Sequence, residues 1–418
     1  MRAGDLLLSA GLSVSEVVAT MRRITTAYGL GGVHVDVTYT VISASYLPAS
    51  ENPPVTYSRV VRIRGVDYVQ VRSLFRLASD IQRGLPLRQA VEAFERVWSA
   101  PHPYPAWVAL AGKAGVAAAV VLLFTTSWQV IVATFVVSFG VDRLLVWLER
   151  WGLPPFFRQV AGAFLITLVA AAVASAGSHR AWFFTSVNGN LLVVGGIIML
   201  VAGTVVVAAA QDAIDEFYVT AAARIVEVSV RTVGIVIGIV IGIRLATALG
   251  APLSIAANPV HHGPLAARFA GATVTAALFA VAAFADAATV ALAAAIGCTG
   301  WAVFTAVLHA DGGQVPASAI AALTAALAAT VLTRHSSVPG FALVNAAIVP
   351  LLPGLTLYTG LLEVIGTQSH PRTPAAGAAT LVTALGIALG IAAGGSLGTY
   401  LGRPIIDRAR KMLTRDRL

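Results

Sequence analysis

Residues 231–249 read RTVGIVIGIVIGIRLATAL, a stretch that is apolar around its whole helical circumference apart from Arg231 and Arg244 near its ends. A helix of that kind has no solvated face, so it belongs in a large core or in lipid. The flanking sequence decides between them. From about Trp107 to Tyr400 one such run follows another, with charge only at the joints. The chain is 57% hydrophobic and 11% charged, with a mean hydropathy of +0.82, against roughly 25% charged residues in an ordinary soluble protein. So many fully apolar helices fit only a bilayer. The chain reads as a polytopic α-helical membrane protein.

Ten spans can be drawn, near 106–124, 128–147, 156–176, 189–210, 231–249, 265–284, 288–308, 316–333, 339–361 and 376–400. Several sit at the lower part of the spanning range of about 17–25 residues. They divide into two five-helix halves, 105–250 and 264–402, followed by a basic tail over 403–418. Residues 1–104 differ in kind, with 11 Arg, 8 Asp or Glu and no long apolar stretch. There the spacing of Leu7, Val14, Val18 and Ile24 predicts one helix from Leu6 to Tyr28, stopped by Gly31-Gly32. VHVDVTYTVISASYL alternates as a half-buried strand, VTYSRVVRIR follows Asn52-Pro53-Pro54 as a second, and helices near 66–82 and 87–98 complete a small α+β domain. The first apolar stretch, interrupted by Asp5 and Glu16, is not signal-peptide-like, which places this domain in the cytoplasm.

Charge orients the spans. With the domain inside, the same side receives Arg150, Arg158, Arg224, Arg231, Arg334 and the tail from Arg403 to Arg417, while the opposite loops receive Arg180 and Arg372. This asymmetry predicts an even number of spans with both termini cytoplasmic, in the cell membrane. It also accounts for the formal net charge of +9: arginines flanking helices meet anionic lipid, and no basic-aromatic groove suggests nucleic acid. Cys298 is the single cysteine, so no intramolecular disulfide or thiolate metal cluster can form.

Two stretches resemble each other. LVAGTVVVAAAQDAI closes the fourth span and LLPGLTLYTGLLEV lies in the ninth; a shift of 151 places Gly203 on Gly354 and Asp212 on Glu363. Five is odd, so a duplication of five-span units predicts inverted halves, a common plan for secondary transporters.

LLLSAGLSVSEVVATMRRITTAYGL with GGVHVDVTYTVI, WGLPPFFRQVAGAFLITLVAA, LVAGTVVVAAAQDAIDEFYVTAAARIVEV, AARFAGATVTAALFAVAAFA and IVPLLPGLTLYTGLLEV form an ordered set across the chain. In content and order it resembles the threonine/serine exporter family, in the actinobacterial form that fuses a cytoplasmic domain to ten spans. The resemblance implies export of L-threonine and L-serine driven by the proton gradient, with no cofactor. One departure is Ala202-Gly203 where the family commonly has Pro-Gly, which predicts a fourth helix without a kink there.

Candidate residues fall into three groups. Asp212, Asp215 and Glu216 end the fourth span and Arg224, Glu227 and Arg231 lead into the fifth; a zwitterion needs both signs, and Arg224 and Glu227 offer them. Asp212 and Glu363 are the candidate proton-coupling carboxylates, since such a group should be conditionally buried. Pro353-Gly354 breaks the ninth span and frees backbone groups for a polar solute, with Asn345, Pro350 and Tyr358 on the same segment. His34 and Asp36 share one strand face, without a third ligand or nucleophile, and suit a structural or gating role better than hydrolysis. Lys113, Arg244 and Arg268 lie near span ends, where arginine and lysine snorkel; Asp286 reads as a wetted turn residue, and His261-His262 has no companion motif. No Gly-x-x-x-x-Gly-Lys-Ser/Thr stretch supports ATP hydrolysis. A membrane-embedded enzyme or protease regulated by the soluble domain, and a non-transporting scaffold or sensor, are the alternatives to a secondary transporter, and homo-oligomerisation is left open.

Overall fold

The computed structural model describes residues 1–47, 53–61, 66–178, 187, 189–200, 203–251, 263–333, 340–365 and 374–415. The amino-terminal unit contains α1 (Arg2–Ser9), α2 (Val14–Ala27), β1 (Val33–Thr38), β2 (Val41–Tyr46), β3 (Val55–Val60), α3 (Tyr68–Gln82) and α4 (Leu87–Ser99). The strands form one antiparallel sheet in the order β1-β2-β3. Leu7, Leu12, Val17, Ile42, Val71 and Leu74 are buried between sheet and helices.

Two expectations fail here, both at turns. The helix drawn from Leu6 to Tyr28 is two helices. Gly11 adopts φ +85, and the Ser13 side chain accepts a hydrogen bond from the Glu16 N–H to start α2. The long strand after Gly32 is a hairpin closed by Tyr39 and Thr40, with Tyr39 at φ +53. The alternation changes phase at Val41-Ile42, so Val37 and Ile42 face each other on the buried side.

The membrane part contains α5 (Ala106–Val121), α6 (Trp128–Arg150), α7 (Pro155–Ser178), α8 (Gly189–Leu200), α9 (Gly203–Ile214), α10 (Tyr218–Ala248), α11 (Leu265–Ala282), α12 (Ala287–His309), α13 (Gln314–Leu332), α14 (Gly340–Ile348), α15 (Gly354–Ile365) and α16 (Pro374–Arg415). Among the described residues, 7 helices are long and apolar enough to cross a membrane, or up to 9 if each bent pair is one span; α5 is apolar but shorter. The chain is a multi-pass membrane protein. The 31 residues of α10 extend, at 1.5 Å per residue, well beyond a hydrocarbon layer of about 30 Å. Its first turns therefore leave the bilayer and meet the amino-terminal unit.

The two halves repeat. Moved by 159 residues, the 23-residue α6 falls on the 23-residue α12. The two bent pairs, α8–α9 and α14–α15, each turn by 42°. Ala202, on which the expectation of an unkinked fourth segment falls, lies outside the described residues. A Cβ on Gly203 would sit 3.2 Å from the Leu352 Cβ, so the start of α9 meets the segment that leads into α15.

Each half also carries a helix pair pressed together along glycines. On α10, a Cβ at Gly234 would lie 2.9 Å from the Phe156 carbonyl oxygen, and one at Gly238 would be closer still to that of Val160. On α16, Gly390, Gly394 and Gly398 meet the carbonyls of Val315, Ala319 and Leu323 in the same manner. Lipid supplies no hydrophobic drive between helices, so this close van der Waals approach holds the pairs.

Candidate functional site

The end of the membrane part next to the amino-terminal unit is where the titratable residues gather. α9 ends at Ile214, the chain turns through Asp215 and through Glu216 at φ +69, and α10 begins at Tyr218. That reversal puts Asp212 against Arg224. Asp212 is fully buried, and its Oδ2 lies 3.0 Å from Arg224 Nη1, in contact but off the hydrogen-bond axis. Its other oxygen, Oδ1, accepts from the Val14 N–H at 3.2 Å. Val14 opens α2, so a buried carboxylate of the membrane part sits at a helix N-terminus of the amino-terminal unit, where the helix dipole favours negative charge. Asp215 repeats the contact, accepting from the Ser15 hydroxyl at 2.5 Å.

Glu227 and Arg231 make an i, i+4 ion pair on α10. Tyr39, at the tip of the β1–β2 hairpin, donates its hydroxyl to Glu227 Oε2 at 3.1 Å. Its N–H donates to Thr220 Oγ1 at 3.0 Å, and that hydroxyl donates to the Val37 carbonyl. Burial, then the neighbouring Glu227 carboxylate, raises the Tyr39 hydroxyl above its ordinary range. Arg224 and Glu227, expected as a zwitterion-binding pair, therefore share the site but are each engaged by another partner.

A second set of contacts clamps the unit to the other half. Arg72 pairs with Asp286 at 2.9 Å, the Tyr68 N–H donates to the Ala283 carbonyl at 2.9 Å, and the Tyr104 hydroxyl donates to that of Val281 at 2.5 Å. Asp286 is thus no idle turn residue. Burial disfavours its charge, but hydrogen bonds from Thr289 and Arg72 outweigh that and hold its carboxyl below the usual range.

Between the unit and the helices lies a cavity of about 1140 Å³. Arg224, Glu227, Arg231, Asp215 and Asn345 line it, together with Arg72, Arg76, Gln211 and Ser396, and it reaches down to Thr204 and Ile348 beside the two helix breaks. Asn345 is hydrogen-bonded to the Tyr68 side chain. Pro353 and Gly354 are buried at the crossing. Tyr358 points elsewhere: it is 3% exposed, belongs to the core of the first half, and its hydroxyl has no hydrogen-bond partner among the described residues. Glu363, also buried, accepts from the Thr380 hydroxyl at 2.7 Å, at the opposite end of the molecule from Asp212.

His34 and Asp36 stand on the exposed face of β1, opposite Ser45 and Ser43, apart from the cavity. Among the described residues no three His, Cys, Asp or Glu side chains come together as a metal site. His261-His262, Arg180, Arg334 and Arg372 lie outside the described residues. Sequence reasoning missed Tyr39, Arg72 and the start of α2. For the last a signal existed: Ser13-Val-Ser-Glu16 is a capping-box spacing, and a helix start is an anion site.

Comparison with known proteins places these features. A family model described as "Putative threonine/serine exporter" matches residues 1–246, and one described as "Threonine/Serine exporter" matches residues 268–399. A "Probable threonine/serine exporter" of Mycobacterium tuberculosis is 33% identical over 413 residues, covering 97% of this chain and 76% of the relative. A "Threonine/serine exporter" of Corynebacterium glutamicum is 33% identical over 410 residues, covering 96% of this chain and 81% of the relative. No solved structure matches.

Proposed function

The chain belongs to the threonine/serine exporter family, and from that premise we propose that it exports L-threonine and L-serine from the cytoplasm by proton antiport. In this reading both termini and the 1–104 domain lie in the cytoplasm, as the arginine distribution supports, and the cavity beneath the domain is the substrate vestibule. The observation that carries it is the meeting of the two broken helices at Gly203 and Leu352, at the floor of a cavity lined by both charge signs. Broken helices leave carbonyls and N–H groups free where a polar solute passes. Pro353 and Gly354 form that passage. Arg224, Arg231, Glu227 and Asp215 exchange their present partners for the carboxylate and ammonium of the amino acid, and Asn345 gives the side-chain hydroxyl a hydrogen-bonding group.

Asp212 and Glu363 occupy related positions at opposite mouths. Protonating Asp212 removes its attraction to Arg224 and to the start of α2 together, which loosens the domain over the inner mouth; Glu363 does the same for α16 at the outer mouth. His34 and Asp36, away from the vestibule, serve the domain's surface. Counterflow of labelled L-threonine in proteoliposomes tests the reading: exchange without chemical turnover is the expected result. Turnover without exchange would favour the enzyme alternative and end it.

A further inference from the structure

Three polar side chains of α6 have no part in the vestibule. Thr134, Ser138 and Asp142 follow one another at i, i+4 and i+8 on one helical face. Thr134 is 1% exposed and Ser138 4%. Thr134 packs against α8 and α5, its Cγ2 lying 2.6 Å from where a Cβ on Gly195 would fall, beside Val121. Buried hydroxyls in helices usually donate to the carbonyl four residues back, as Thr167, Thr232 and Thr305 do here. The hydroxyls of Thr134 and Ser138 do not, and with Asp142 Oδ2 they are buried without a hydrogen-bond partner. A row of unpartnered oxygens ending in a carboxylate, within a span, is costly unless it is used.

The second half supplies the control. Carried 159 residues along, this face of α6 becomes Ala293, Gly297 and Trp301 on α12, the first two as deeply buried as Thr134 and Ser138. The same packing is made there without one ionisable group, so the fold does not require the polar row.

We propose that Thr134, Ser138 and Asp142 form a proton file, with Asp142 taking a proton from water at one face of the membrane and releasing it at the other as the transporter changes state. The inference rests on the antiport reading above. One proton binds and the same proton leaves; the hydroxyls relay it through water without being consumed. The charged neighbours suit a titrating carboxylate. Lys113 on α5 acts on it electrostatically. On α7, Arg158 pairs with Glu149 through Nη1 at 2.9 Å while its Nε is buried without a hydrogen-bond partner, and the neutral Gln159 is the next polar group. The described α8 carries no charge, and Arg143, Glu149 and Arg150 lie further along α6 itself.

The test uses full-length protein in proteoliposomes, with labelled L-threonine and an internal pH-sensitive dye. Wild type should accumulate threonine against its gradient when a pH difference is imposed, and threonine flux should move the dye signal. D142N should keep equal-concentration counterflow while driven accumulation falls to the level without a pH difference and the dye response disappears. D142E should restore driven transport with a displaced pH profile, which a merely structural carboxylate would not displace. Should D142N fail to insert, S138V and D142E carry the test, S138V by lowering the driven rate relative to counterflow. Wild-type coupling in D142N, or in S138V together with an undisplaced pH profile in D142E, overturns the site while leaving antiport standing. A wild-type protein indifferent to the imposed pH difference overturns antiport itself, and the file with it.

Discussion

Moving α6 onto α12 lays Ser127 on Asp286, Thr134 on Ala293, Ser138 on Gly297 and Asp142 on Trp301. Ser127 and Asp286 both precede their helix as the capping residue, and the deep positions of one helix are largely the deep positions of the other. What repeats between the halves is the backbone plan: a helix pair pressed together along glycines, and a helix bent by 42°. What does not repeat is the chemistry on that plan. The first half carries the Asp212–Arg224 pair and the polar row of α6, whereas the corresponding second-half face is apolar. Packing is satisfied twice in the same way, so a residue present in only one copy is free to serve function. That is how the comparison separates the two kinds of constraint.

The largest effect expected is on the feature the halves share. Gly238→Leu and Gly394→Leu each drive a side chain into the backbone of a neighbouring helix. Each should abolish accumulation of monodisperse protein in size-exclusion profiles of a tagged chain. Tolerance in one half only would break the equivalence of the two glycine pairs.

Next come the helix breaks. Gly203→Leu and Gly354→Leu fill the crossing rather than the frame. The protein should still insert, and threonine counterflow should be lost. Wild-type exchange by a correctly inserted G354L protein would exclude the crossing as the route.

A smaller effect is expected where the amino-terminal unit docks. Arg224→Ala leaves Asp212 buried without its cation, a cost of about 3–5 kcal/mol to the folded protein that falls on the carboxylate accepting from the Val14 N–H. Hydrogen exchange across α2 should rise accordingly, and less so for D212N. E363Q weakens the hydrogen bond from Thr380, worth about 1 kcal/mol, far from the amino-terminal unit, and should leave α2 unchanged. Equal responses of α2 to R224A and E363Q would show the two sites to be coupled rather than separate.

The smallest concerns Asp286. Its folded-state carboxyl lies below the ordinary value of 3.8, so its contribution is fully present above that value and fades as pH falls through the folded one. The Arg72 ion pair is partly exposed, with side chains 20% and 36% accessible. Discounted for solvent screening, the effect is about 1 kcal/mol or less. Hydrogen exchange at the start of α3 should rise on acidification through that range, and D286N should remove the pH dependence. Ser127, its counterpart in the first half, has no titration there to lose.

Much of this was legible along the chain. Each of the ten expected segments falls on one or more of the described helices, because a span is a local property of about twenty residues. The 151-residue shift that pairs Gly203 with Gly354 also pairs two helices, α9 and α15, that both begin at those glycines and both run 12 residues. The failures sit where local pattern is silent. A hairpin of two residues at Tyr39-Thr40 looks like a continuing strand unless the phase change at Val41-Ile42 is noticed.

The site divides in the same way. Asp212, Arg224 and Glu227 could be named from the rarity of charge beside apolar runs, since an ionisable residue there is costly enough to need a reason. Which of them pair could not. Arg224 chose Asp212 and left Glu227 to Arg231 and Tyr39, because the reversal at Glu216 brings α9 alongside α10 and the docked hairpin brings Tyr39. Asp142 went unread, since a single acid near Arg143 at a span's end looks like an interfacial charge until the burial of Thr134 and Ser138 beside it is known. Composition and period by themselves determined that this protein lives in a membrane and where its helices run, because lipid acts on every residue where it stands. Only the tertiary structure decided partners, since an ion pair or a helix crossing depends on residues far apart in the chain arriving at one place.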